Sequence, residues 1–117
     1  MLVVFYSETG NTAEFIEKTE LPSMEIITGS EDTDEKFVIV TPTIADGDVP
    51  DAVLDFLEDH ADQVVAVAAG GSMAWEDTYC FAADKISEQF GVPTLLKFED
   101  EGTDEDVAAF VAAVEKL

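Results

Sequence analysis

The chain has 117 residues, which suits one small domain with one core and leaves little room for a second. Asp and Glu number 27 against five basic residues, a formal charge of −22, so binding to nucleic-acid phosphates or to an anionic membrane is disfavoured. One cysteine and one histidine exclude an intrachain disulfide, a cysteine metal cluster and a multi-histidine metal site.

Apolar residues make up 47%, enough for a packed interior. Residues 2–6 (LVVFY) form a continuous apolar run that reads as a strand buried on both faces. SETGNT (7–12) is a polar turn with one glycine, and 12–18 read as a short helix with Phe15 and Ile16 inward. A short strand is expected at 24–27, then an acidic connection at 29–36, then the strand FVIVT (37–41). Pro50 fits the first turn of a helix, with Asp48 as its cap and Val53, Phe56 and Leu57 as its buried stripe. Residues 64–69 read as an apolar strand, followed by the loop GGSMAWED (70–77). Ala82, Ala83, Ile86 and Phe90 mark a helix that Gly91 caps. A last strand opens at 93–98. Val107, Phe110, Val111 and Val114 then define a final helix, preceded by Thr103 and Asp106 at capping-box spacing. Buried strands alternating with helices argue for a parallel sheet covered on both faces.

No segment approaches the roughly 20 apolar residues that cross a bilayer. The opening MLVVFYSETGN carries no basic leader, and cytoplasmic residence is the expectation. Acidic residues spread along the whole chain repel one another at ordinary salt. Molar salt shrinks the screening length to roughly 3 Å, so a salt-adapted protein is expected.

The strongest local signal is a strand, then 7–12, then a helix. A helix start offers free N–H groups to a phosphate, and Ser7, Thr9, Thr12 and Asn11 add neutral donors. Neither GxGxxG nor a Walker A loop occurs, so a small phosphomonoester fits better than a dinucleotide or a nucleoside triphosphate. An ordinary polar turn with a capping threonine is the alternative. Open α/β sheets bind ligands beyond the C-terminal strand ends, where 7–12, 42–48 and 70–77 fall. Trp75 in the last of these suits stacking on a planar ring, or equally anchoring of its loop.

The segments FYSETGNT (5–12), FVIVTPT (37–43), Gly47 before Val49-Pro50, AAGGSMAWEDTY (68–79), AADKIS (82–87) and VPTLLKFEDEGTDEDV (92–107) resemble, in order and over nearly the whole chain, the NrdI family of flavodoxin-like proteins. The resemblance implies an α/β fold: a flavodoxin-like three-layer α/β/α sandwich, one domain over 1–117, with a five-stranded parallel sheet of order 2-1-3-4-5. It also implies noncovalent FMN. By carry-over, Ser7, Glu8, Thr9, Gly10, Asn11 and Thr12 lie at the phosphate. Pro42, Thr43, Ile44, Ala45, Asp46 and Gly47 line the ring's N5 edge. Gly70, Gly71, Ser72, Met73, Trp75, Asp77 and Tyr79 form the other wall. The flavin is then the reactive group, with no catalytic side chain and no metal in this chain. Family members serve the class Ib ribonucleotide reductase small subunit. Their flavin, charged by a flavin-reducing protein, reacts with molecular oxygen to supply the oxidant that assembles the dimanganese–tyrosyl radical cofactor. A general flavodoxin electron carrier is the alternative function, and a flavin-free acidic adaptor a third.

Two departures from the family bear on redox tuning. Residues 71–74 replace an Asn- and Arg-containing stretch, and Glu76 stands where a glycine is usual. Asp46 and Asp48 place acids beside the ring and should oppose its full reduction. Gly47 has the freedom to turn its carbonyl toward N5. Elsewhere the expectations are structural. Cys80 packs, His60 sits charged near a helix end, Lys97 supports the strand end or meets an acid, and Glu99, Asp100 and Glu101 solvate the surface.

Overall fold

The computed structural model describes residues 1–8, 10–44, 47–71 and 80–117. Nine elements occur among the described residues, in the expected order: β1 (Leu2–Phe5), α1 (Asn11–Thr19), β2 (Ser23–Glu25), β3 (Phe37–Pro42), α2 (Asp51–Asp59), β4 (Val64–Gly71), α3 (Phe81–Phe90), β5 (Thr94–Glu99) and α4 (Asp104–Glu115). The strands form one sheet in the order β2-β1-β3-β4-β5, and every neighbouring pair is parallel. This is the expected 2-1-3-4-5 arrangement. The chain steps outward from β1 to β2, then returns to the other side for β3, β4 and β5.

Strand alternation sorts the side chains into two cores. Val4, Phe37, Ile39, Val67 and Ala69 face α2 and α3, where Val53, Phe56, Leu57, Ala82, Ala83 and Ile86 meet them. Val3, Phe5, Val38, Val40, Ala66 and Ala68 face α1 and α4, with Phe15, Ile16, Phe98, Phe110 and Val114. Consecutive residues of β3 therefore serve opposite layers, which is why the strand had to be apolar without a break. On the α1/α4 side Phe15 stacks on Phe98 with centroids 4.0 Å apart, and Phe110 meets Phe15 edge-on at 5.4 Å.

Several sequence expectations change in detail. β4 runs two residues beyond the expected end, through both glycines, because Pro42 and Phe98 continue the ladder on either side of Gly70. A Cβ on Gly70 would lie 2.7 Å from the Phe98 ring, so the glycine is a packing requirement as much as a loop signal. β2 ends at Glu25 rather than continuing to Ile27, which is 66% exposed. Asp48 does not cap α2. Pro50 holds the N-cap position with no side-chain hydrogen bond, while the Asp48 carboxylate pairs with Lys85 Nζ at 2.8 Å. Thr12 is not a cap either: Gly10 takes that position at φ 96°. The capping box of α4 forms as expected. Thr103 Oγ1 accepts from the Asp106 N–H at 3.1 Å, and the Asp106 carboxylate accepts from the Thr103 N–H at 3.0 Å.

Candidate functional site

The C-terminal ends of β1, β3 and β4 converge at the point where the strand order reverses, and parallel sheets leave a crevice there. Local chemistry builds its rim. After β1 the chain turns at Gly10, whose positive φ favours a residue without a side chain. The Ser7 hydroxyl accepts from the Ala13 N–H at 3.2 Å, and Gly10 O accepts from Glu14 N–H at 3.0 Å. These bonds leave the N–H groups of Asn11 and Thr12 without partners among the described residues, and the helix dipole points its positive end the same way.

After β3, Thr43 N–H donates to Gly70 O at 2.8 Å, tying the second loop to β4. Ile44 and Asp48 exchange backbone hydrogen bonds of 3.0 and 2.7 Å, closing a tight turn with Gly47 at φ 102°. After β5, Asp100 N–H donates to Gly71 O at 2.9 Å. Together these segments enclose a cleft of about 160 Å³ lined by Glu8, Asn11, Thr12, Pro42, Thr43, Gly70, Gly71 and Asp100. Seven of these eight residues stand among the site residues named from sequence. Asp100 does not; it was read as a solvated acid, and the usable signal was its place just past the end of β5, at the same sheet edge as the loops.

One atom in the cleft is chemically conspicuous. Thr43 Oγ1 is buried and has no hydrogen-bond partner among the described residues. A buried hydroxyl without a partner costs free energy unless something else supplies the bond. Glu8 and Asp100 bring negative charge to the rim, and no lysine among the described residues lines the cleft. Any anion held here must rely on N–H and hydroxyl donors.

Not every expected residue turns into the cleft. Ser7 spends its hydroxyl on α1, and the space around the Cα of Gly10 is open. Ile44 belongs instead to a neighbouring groove of about 340 Å³ with Asp48, Val49, Asp51, Leu54, Lys85 and Gln89. Lys85 also lies 5.4 Å from the centre of the exposed Phe81 ring. Its pairing with Asp48 offsets part of the negative charge expected beside the second loop. Thr9, Ala45, Asp46, Ser72, Met73, Trp75, Asp77 and Tyr79 lie outside the described residues. Cys80, just after that stretch, is fully buried with its Sγ 3.4 Å from Phe98 O, in keeping with a packing role. No helix among the described residues is long and apolar enough to cross a membrane, and no group of three acidic, histidine or cysteine side chains there is placed to hold a metal.

Comparison with known proteins gives a consistent picture. The family described as NrdI Flavodoxin like matches residues 3–112. Protein NrdI of Macrococcus caseolyticus is 43% identical over 117 residues, covering 100% of this chain and 91% of the relative. Protein NrdI of Bacillus licheniformis is 41% identical over 115 residues, covering 98% and 88%. Among solved structures, a short-chain flavodoxin associated with a bacterial microcompartment superposes with a TM-score of 0.78 at 21% identity, over 99% of this chain and 94% of that one. The flavodoxin of Fusobacterium nucleatum bound to flavin mononucleotide superposes with a TM-score of 0.69 at 14% identity, over 98% and 96%. At these identities the structural matches speak for the fold.

Proposed function

The chain belongs to the NrdI flavodoxin-like family, and from that membership and the geometry of the cleft we propose that it binds FMN and serves the class Ib ribonucleotide reductase small subunit. The observation that carries the reading is the buried Thr43 hydroxyl, without a partner among the described residues, in a cleft that the N-terminus of α1 also borders. The donor set fits the nucleotide. Asn11 and Thr12 offer N–H groups to the phosphate, Thr43 offers a hydroxyl deeper in, and Gly70 and Gly71 line the wall. Thr9 and Trp75 complete the site as the family resemblance assigns them.

When bound, FMN supplies the redox chemistry, including electron transfer to molecular oxygen. This chain's part is to hold the tail, limit water at the ring and set the field around it. Lys85 holds Asp48 in an ion pair and so moderates that acid's opposition to negative charge on the ring. Because the pair is solvent-accessible, the moderation is small. With flavin bound, the site would supply an oxidant to the small subunit, which would hold the manganese. A separate flavin-reducing protein supplies the electrons.

Two measurements test this. Apo-protein titrated with FMN in molar potassium chloride should quench flavin fluorescence with a one-to-one endpoint; no quenching would end the flavin reading. Reduced holoprotein mixed with oxygen and manganese-loaded small subunit should yield tyrosyl radical. No radical, with brisk reduction of ordinary flavodoxin acceptors, would favour a general electron carrier.

A further inference from the structure

The connection between β2 and β3 lies along α2 as a strap. At Gly29, φ +91°, a Cβ would sit 2.9 Å from Ala52 O and 3.3 Å from Asp55 Cβ. Further on, Asp32 Oδ1 lies 2.8 Å from His60 Nε2, just past the last turn of α2. Gln63 Nε2 then donates to the carbonyls of Thr33 and Glu35. The strap thus keeps pace with α2 from its first turn to beyond its end.

His60 is 5% exposed, stacked on Phe56 with centroids 4.1 Å apart and edge-on to Phe37 at 6.3 Å. Its Nδ1 is 2.8 Å from Phe56 O, an atom that only accepts, so Nδ1 carries a proton. Nε2 faces a carboxylate oxygen, which also accepts. Only the imidazolium satisfies both partners. The charged groups acting on the ring are Asp32 from the strap and Asp59 from α2, while β3 contributes only the Phe37 ring. Burial opposes the charge, but the Asp32 hydrogen bond, the Phe56 carbonyl and the charges of Asp32 and Asp59 outweigh it and raise the pKa.

We infer that His60 is a proton-controlled latch: as imidazolium it ties the strap to the C-terminal end of α2, and loss of its Nε2 proton loosens the strap while the sheet stays folded. The direction follows from linkage. A group whose folded pKa is raised contributes its stability in full below the unfolded value, and loses it as pH rises through the folded value. The latch is closed in acid and opens on the alkaline side. The Gln63 amide bonds and the Gly29 contact carry no titrating group, which confines the change to the strap.

The test uses the full chain at constant potassium chloride. His60 is the single histidine, so its imidazole signal in a nuclear magnetic resonance titration is unambiguous. Its midpoint is expected above the ordinary value of about 6.5. Amide exchange of residues 31–35, corrected for intrinsic base catalysis, should rise through that midpoint, while Val38 to Val40 stay protected. The rise should be about tenfold for each pH unit separating the midpoint from the ordinary value. Asp32 is 91% exposed, so Asp32→Asn should fold, lower the midpoint and loosen the strap already in neutral solution. A midpoint at or below the ordinary value overturns the inference. So does strap exchange that ignores the midpoint, or an Asp32→Asn variant that titrates like the wild type.

Discussion

The strap along α2 and the cleft ahead of that helix handle polar groups in opposite ways. Along the strap and where it meets the end of α2 nearly everything polar is paired: His60 with Phe56 and Asp32, Gln63 with Thr33 and Glu35, and Glu31 with the N–H groups of Ile27, Thr28 and Gly29 at 2.9 Å each. At the cleft ahead of the N-terminal end of α2, Thr43 Oγ1 has no partner among the described residues, and neither do the N–H groups of Asn11 and Thr12. Both regions hold sharp glycine turns and several acids, so composition does not separate them. Satisfaction does. Closed hydrogen-bond networks belong to the fold, whereas open donors at a strand-end crevice wait for a ligand.

The contrast predicts that substitutions in the strap change stability and substitutions in the cleft change affinity. The largest effect is expected for Gly29→Ala. Its Cβ would press on the backbone of α2 at a left-handed φ, for a loss of about 2–4 kcal/mol in urea unfolding with flavin affinity in molar salt nearly unchanged. A variant as stable as the wild type would mean that the strap does not bear on α2.

Salt should act next most strongly, and on the cleft. FMN carries a phosphate dianion toward a protein of charge −22, past Glu8 and Asp100. Raising potassium chloride from low to molar should tighten FMN on the order of tenfold and also stabilise the fold, as expected of a salt-adapted chain. Affinity that falls with salt would reveal a cationic contact that the described residues lack.

Thr43→Val sharpens the comparison further. The change removes an unsatisfied oxygen at nearly constant volume, so the apo-protein should hold its stability or gain about 1 kcal/mol. FMN binding should weaken about fivefold, the worth of one neutral hydrogen bond. Equal FMN binding by the two proteins in the same fluorescence titration would show that the hydroxyl meets no ligand.

The smallest effect concerns Glu31. Burial works against its charge, but the N–H groups of Thr28, Ile27 and Gly29 overcome this and lower its pKa to about 2. A depressed folded pKa contributes stability above the ordinary value of 4.5, lost as pH falls toward about 2. Amide exchange in 27–31 should therefore increase across that acid window in the wild type and show no such step in Glu31→Gln.

Much of the fold was legible from residue order. The unbroken apolar runs at 2–6, 37–41 and 64–69 argued for strands buried on both faces, and the stripe Val53, Phe56, Leu57 for a helix between two of them. The motif-bearing segments also placed most of the cleft residues. Asp48 reads from its near neighbours as a cap, whereas its partner Lys85 is 37 positions away along the chain. Asp100 is exposed, as a solvated acid should be, but its place at the cleft is fixed by the bond of its N–H to Gly71 of β4, remote in sequence.

Periodicity and capping act within a turn or two of helix, so the chain could announce its own strands, its helices and the box at Thr103 and Asp106. The family pattern announced the cofactor class. Which hydroxyl is left without a partner, which aspartate meets His60 and which glycine lies against Phe98 depend on contacts between segments remote in sequence. Those contacts exist only once the sheet has brought β1, β3, β4 and β5 side by side.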